Sequence, residues 1–315
     1  MANPSIQAIG LTKRYNSFTA LSNLNLKVEG AKCVGFLGPN GAGKTTTLKL
    51  FTDMIRPTAG RALVNDIDVH KEKKRALASV GTLIETPEIY PSLTEREALS
   101  MIAEIKGIPH NSIGNSVREV LGKVKMEKWI DQKVGKMSKG MKQRINIAAA
   151  LLGDPQVVLL DEPTSGLDPR GMSEVRDIIK DLKKENRLIF MSSHLLSEVS
   201  ELCEEIAMID HGKLIAYGPI DEVTSRFSEK GATLVEVSLV KKLQESLLKR
   251  IRKLSGVKSL EKSGYNQLNL RITGGLKAQE RILEKLVRMK IGVVSFKPSA
   301  SALEETYLKV FKETI

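Results

Sequence analysis

The chain has 315 residues, 27% of them charged and 41% drawn from the apolar set, a composition of folded domains rather than of disorder. No apolar run approaches the roughly 18 residues that cross a bilayer. The opening MANPSIQAIG shows no basic-then-apolar leader, and Cys33 and Cys203 are too few for a disulfide framework and share no metal-ligand spacing. An integral membrane protein, a zinc finger and a disulfide mini-protein are therefore set aside, and an intracellular soluble protein is expected. Lys and Arg total 49 against 37 Asp and Glu, a net charge of +12, and residues 231–315 alone hold 17 against 8. A basic end of this kind suits nucleic acid, an anionic surface, an acidic partner or simply a solvated lysine face.

Short strands are expected over 6–13 and 25–28. The tight apolar run AKCVGFL (31–37) reads as a strand that ends in a glycine-rich turn before a helix over 44–52. Residues 88–135 read as largely helical, with Thr94 and Glu97 forming a capping box at the head of TEREALSMIAEIKG. The segment QVVLL (156–160) is apolar throughout, as a strand buried on both faces requires. Further strands over 187–192 and 205–210 flank a helix over 196–204. Buried strands alternating with helices predict an α/β domain with a mainly parallel sheet. After about residue 225 the order becomes strand, helix, hairpin (257–272), helix (276–289), strand (291–297). This βαββαβ order is that of a small ferredoxin-like α+β domain, with a last helix over 301–312.

Residues 38–46, GPNGAGKTT, fit G-x-x-x-x-G-K-[ST] between a strand and a helix. Gly38, Gly41 and Gly43 permit backbone angles that aim successive N–H groups at one point, to which the following helix adds its positive end. Lys44 supplies a cation for the β- and γ-phosphates, and the Thr45 hydroxyl is a ligand for Mg²⁺; Asn40 and Thr46 belong to the same nucleotide-binding turn. The segment VVLLDEP (157–163) sets two carboxylates at the carboxyl end of a buried strand, where open α/β sheets hold their ligands. Adjacent parallel strands would bring Asp161 to the metal and Glu162 to the attacking water.

With these two motifs in place, the chain resembles the ATP-binding cassette (ABC) ATPases over about residues 4–225. KMSKGMKQR (136–144) lies between them, Ser138 standing 23 residues before Asp161. It resembles the family's LSGGQ signature, with Lys139 in place of the first glycine and Met141 in place of the glutamine. The resemblance implies that Ser138 and Gly140 touch the phosphate of ATP held by the opposite subunit. It also implies that Asp168 in SGLD (165–168) lies at the dimer seam and that His194 in MSSHLLSEV contacts the γ-phosphate. Tyr15 in LTKRYNSFTAL would stack on adenine. Where the family has a glutamine that links Mg²⁺ to the membrane partner, this chain presents Glu85, expected as a third metal ligand with Thr45 and Asp161.

The implied protein is a P-loop ABC ATPase domain (1–225), with an N-terminal β subdomain and a helical subdomain at about 88–135, followed by a small basic domain (226–315). The segment LIETPEIYPSLT, the SKGMKQR form of the signature and the terminal SALEETYLKVF resemble the ATPases of drug, antibiotic or bacteriocin exporters. The expected activity is ATP hydrolysis with Mg²⁺. The expected assembly is a homodimer, or a pair with an equivalent ATPase subunit, peripheral on the cytoplasmic membrane face and driving a permease on a separate chain. The alternative is a soluble ABC ATPase acting on nucleic acid or ribosomes through the basic tail. The absence of sustained heptads in 86–137 and the single phosphate loop weigh against it, so nucleic acid is not an expected partner.

Overall fold

The computed structural model describes residues 3–85, 89–227, 232–240 and 244–298, together with Leu303, Thr306, Tyr307, Val310 and Phe311. The chain divides into two compact units, Met1–Pro219 and Ile220–Ile315.

The first unit opens with β1 (Ser5–Tyr15) and β2 (Phe18–Glu29), a hairpin whose two-residue turn has Asn16 at φ 51. β3 (Lys32–Leu37) leads into α1 (Lys44–Phe51), followed by β4 (Ala59–Val64), β5 (Ile67–Asp68), α2 (Lys73–Leu77) and β6 (Val80–Leu83). A helical stretch comes next, made of α3 (Glu95–Ile105), α4 (His110–Lys123) and α5 (Lys139–Leu151). The alternation then resumes with β7 (Val157–Asp161), α6 (Pro169–Leu182), β8 (Leu188–Ser193), α7 (Leu196–Leu202), β9 (Glu205–Asp210) and β10 (Lys213–Pro219). Part of the loop expected to follow Glu85, residues 86–88, lies outside the described residues.

Two sheets result. A four-stranded antiparallel sheet has the order β2-β1-β4-β5, and a six-stranded sheet has the order β10-β9-β3-β8-β7-β6. All neighbours in the larger sheet are parallel except β10 on β9. Its central strands are apolar and buried along their length because helices cover both faces. Phe36, Phe51 and Phe190 meet in the core, the rings of Phe36 and Phe190 5.1 Å apart. β8 stands between β3 and β7, so the strand of the phosphate turn and the strand of the carboxylates are not adjacent as expected. The register still brings their ends level, since Leu37 pairs with Ser193 and Asp161 with Ser192.

In the helical stretch the capping box is present: Thr94 accepts from the Glu97 N–H while the Glu97 carboxylate accepts from the Thr94 N–H, 2.8 Å away. Lys106, at the end of α3, donates to the carbonyls of Ala149, Ala150 and Leu152 and so closes the carboxyl end of α5. Burial pushes its amine down to about 8. Among the described residues no helix is long and apolar enough to cross a membrane.

The second unit contains α8 (Ile220–Phe227), β11 (Ala232–Leu239), α9 (Glu245–Arg252), β12 (Val257–Lys262), β13 (Gln267–Thr273), α10 (Gly275–Arg288) and β14 (Val293–Pro298). Its sheet runs β12-β13-β11-β14 with every pair antiparallel, the order produced by interleaving two βαβ units. Val235, Val237, Leu268, Leu270 and Ile272 meet Leu248, Ile251, Ile282 and Leu286 in its core. Of the last expected helix, Leu303, Thr306, Tyr307, Val310 and Phe311 are helical, and its remaining positions lie outside the described residues, as do residues 241–243 ahead of α9.

Candidate functional site

β3 ends at Leu37, and the chain turns through Gly38–Gly43 into α1. Gly41 (φ 81) and Gly43 (φ 105) hold left-handed conformations that other residues resist. Gly38 is a glycine for a different reason. A Cβ there would lie 2.3 Å from the Ile209 carbonyl oxygen, so close approach to β9 rather than backbone freedom selects it. Lys44, the first residue of α1, is buried, and its Nζ donates to the carbonyls of Gly38 at 2.7 Å and Pro39 at 3.0 Å. Burial lowers its proton affinity, while Glu162 and Asp161 oppose that shift. A desolvated amine beside free helix N–H groups attracts an anion with several oxygens.

Asp161 closes β7 and Glu162 follows it. Ser192 of β8 joins the two: its hydroxyl donates to Asp161 Oδ1 at 2.5 Å and accepts from the Glu162 N–H at 2.9 Å. Glu162 sits at φ 43, a left-handed conformation uncommon for a residue with a side chain and frequent at functional sites. The turn aims its carboxylate between Lys44 Nζ, 3.8 Å from Oε1, and His194 Nδ1, 3.0 Å from Oε2. Ser192 was not singled out in the sequence; its only signal is its place two residues before His194 in a buried strand.

Over the turn opens a cavity of about 260 Å³ lined by Tyr15, Phe18, Asn40, Gly41, Gly43, Lys44, Thr45, Thr46 and Glu162. The β1–β2 hairpin tip supplies both aromatic rings, which are 45% and 61% exposed; Lys13 Nζ stands over the Tyr15 ring, 4.9 Å from its centre. Phe18 is the aromatic that sequence reasoning missed. Glu85 is absent from this lining. It holds φ 56 and pairs with Lys49 of α1 at 2.5 Å, so its negative charge is compensated beside the phosphate helix. Thr45 and Asp161 present the hydroxyl and carboxylate oxygens that a hard divalent cation takes. Among the described residues no cluster of three His, Cys, Asp or Glu could hold a metal.

Ser138, Gly140 and Asp168 line a second cavity, of about 300 Å³, together with Trp129, Met141, Arg144, Arg170, Gly171 and Glu174. It shares no lining residue with the first. Two helix starts meet here. Ser138 caps α5 by accepting from the Met141 N–H, and Asp168 caps α6 by accepting from the Gly171 N–H at 2.7 Å. Gly140 and Gly171 face each other where the helices meet, and a Cβ on Gly140 would make ordinary contact with Gly171 Cα at 3.5 Å. Arg144 is buried beneath, 3.4 Å from Glu174, with its guanidinium 6.0 Å from the centre of the Trp129 ring. Behind it, at the start of α3, Glu95 is fully buried with neither carboxylate oxygen hydrogen-bonded. Burial pushes its carboxyl up to about 7, against the pull of Arg144.

Comparison with known proteins agrees with this geometry. The family model described as ABC transporter matches residues 21–165. The bacitracin transport ATP-binding protein BcrA of Bacillus licheniformis is 43% identical over 222 residues, covering 70% of this chain and 72% of that protein. The linearmycin resistance ATP-binding protein LnrL of Bacillus subtilis (strain 168) is 29% identical over 314 residues, covering 98% and 99%. A solved structure of an ATP-binding subunit of an ABC transporter superposes with a TM-score of 0.64 at 26% identity, covering 70% of this chain and 92% of that one. The chain belongs to the ABC transporter family, as an ATP-binding subunit that hydrolyses ATP.

Proposed function

We propose that two copies of this chain, or one copy and an equivalent ATPase subunit, close on two ATP molecules, and that hydrolysis drives a permease on a separate chain to export an antibiotic-like compound. One observation carries this reading: each chain holds two anion-accepting helix starts in cavities with no residue in common. A triphosphate bound at Lys44 leaves Ser138 and Asp168 of the same chain unused, and a second copy supplies them. The exported class follows from relatives whose names specify bacitracin transport, linearmycin resistance and Nod factor export. On this reading the chain sits peripherally at the cytoplasmic membrane face.

Adenine stacks on Tyr15, with Phe18 beside it. Asn40, Gly41, Gly43 and Thr46 surround the phosphates, and Lys44 neutralises the β- and γ-oxygens. Thr45 and Asp161 would hold Mg²⁺, with Glu85 as the further ligand the family position implies. The metal, when bound, neutralises charge that builds on the phosphate oxygens. Glu162 accepts a proton from the attacking water or orients it, and His194 holds that carboxylate and faces the γ-phosphate.

Sedimentation of the Glu162→Gln variant tests the assembly. A dimer is expected with Mg-ATP and a monomer without nucleotide. Adding Ser138→Arg places a bulky cation at the α5 cap and is expected to abolish the dimer while monomers still bind ATP. An ATP-dependent dimer that survives Ser138→Arg contradicts the clamp.

A further inference from the structure

Two cysteines of the first unit, far apart in the chain and outside both cavities, lie in contact. Cys33 stands in β3 and Cys203 caps the carboxyl end of α7, with their sulfurs 3.6 Å apart. The backbone fixes that meeting. Val34 and Glu205 pair in parallel register, the Cys33 N–H donates to Glu204 Oε2 at 2.7 Å, and the Cys33 carbonyl accepts from the Glu204 N–H at 3.0 Å. Both thiols are buried, Cys33 completely and Cys203 with 8% of its surface exposed, so a reagent reaches the pair from the Cys203 side. The space around them is tight: a Cβ on Gly35 would lie 2.7 Å from Val199 Cγ1 and 3.2 Å from Cys203 Sγ. A bulky thiol adduct has no room there, and an oxidant acting on the pair must be small.

The two elements that the sulfurs join both lead to the ATP site. β3 runs straight into the phosphate turn at Gly38. α7 begins two residues after His194, and its buried Glu198 accepts from the Thr164 hydroxyl and, at 3.0 Å, from the Ser193 hydroxyl. Thr164 follows Glu162 by two residues, so Glu198 anchors the loops of both Glu162 and His194. Drawing the sulfurs from contact to bonding distance moves the end of α7 against β3. A helix of seven residues passes that shift to Glu198 and to the loops it holds.

We propose that Cys33 and Cys203 form a redox modification site, which hydrogen peroxide oxidises to an internal disulfide that fixes α7 on β3 and slows ATP turnover. The Cys203 sulfur attacks one peroxide oxygen, the O–O bond breaks, and a sulfenic acid and one water result. The Cys33 sulfur then attacks the Cys203 sulfur, the S–S bond forms, and the hydroxyl leaves as a second water. The two thiols give up two electrons and two protons, all of which end in the two waters. Contact with Cys33 and burial hold the Cys203 thiol well up, so little thiolate exists near neutral pH and the pair answers sustained rather than brief oxidation. A second thiol already in contact stops the oxidation at the disulfide, short of the sulfinic acid. The site draws on the ATPase activity and is independent of the dimer.

The test treats the full chain with hydrogen peroxide, removes the peroxide with catalase, and reads ATP turnover, the thiols titratable after unfolding, and the peptide masses without reduction. Both thiols are expected to disappear together, with a linked Cys33–Cys203 peptide and turnover about fivefold lower, the scale of a sub-ångström displacement at the reacting groups. Dithiothreitol restores the thiols and the turnover, which separates the disulfide from methionine oxidation. Cys33→Ala is expected to turn over ATP like the reduced parent and to show no loss that dithiothreitol reverses. The comparison of reduced and oxidised parent decides the matter even where that variant folds poorly. The proposal is overturned if both thiols survive peroxide, if Cys203 collects oxygen without linking to Cys33, or if the linked protein keeps the reduced protein's turnover.

Discussion

Two helices of the first unit begin alike and end up in opposite circumstances. Both α1 and α5 open on a lysine, Lys44 and Lys139. At α1 the cap is Gly43 in a left-handed conformation, and the lysine folds back under its own turn, buried, with carbonyls and Glu162 around it. At α5 the cap is Ser138, and the lysine stays exposed over Gly166. The first site has its counter-charges within one chain, in Asp161, Glu162 and their tie to Ser192. The second sets Arg144 and Arg170 against Glu174, with Asp168 at the helix cap and Glu95 buried behind Arg144. The same first residue is drawn into the site at one helix start and left exposed to solvent at the other.

The contrast can be broken at either end. The largest effect is expected at the complete site, where Glu162→Gln should bind Mg-ATP yet release phosphate at least about 100-fold more slowly, the scale of a lost general base. Turnover near the parent rate would remove Glu162 from that role. Next comes the charge stored behind the second site. The Glu95 carboxyl rises from 4.5 unfolded to about 7 folded, so the folded state binds more protons between those values. Stability from this group is therefore present below about pH 4.5 and lost as pH rises to 7, a change on the order of 3 kcal/mol. Thermal melts of Glu95→Gln should lack that slope and lie above the parent at neutral pH. An unchanged slope would mean that Glu95 is solvated or paired. The smallest effect is expected at the base platform, where Phe18→Ala should weaken ATP binding about fivefold through a lost ring contact. Equal affinity in a binding titration would leave Tyr15 as the sole stacking ring.

Local features of the chain were legible because their physics is local. The spacing GPNGAGKTT demands a turn and a helix start, QVVLL demands a strand covered on both faces, and Thr94 with Glu97 forms the capping box found. What escaped depends on distant partners. The tightness that makes Gly38 a glycine comes from the Ile209 carbonyl on another strand. The place of β8 between β3 and β7 follows from sheet order, which alternation does not specify, and with it goes the bridging role of Ser192. Phe18 reaches the cavity only because the β1–β2 turn brings it opposite Tyr15. The pairing of Glu85 with Lys49 joins residues of a loop and a helix far apart in the chain. β4 was overlooked because its first three residues are exposed and it shows little apolar alternation.

The most direct measurement is a crystal structure with a non-hydrolysable ATP analogue and Mg²⁺. Two chains closed face to face are expected, each triphosphate held between the Lys44 turn of one and the Ser138 helix start of the other. A ligand enclosed by a single chain, with Ser138 facing only solvent, would contradict it.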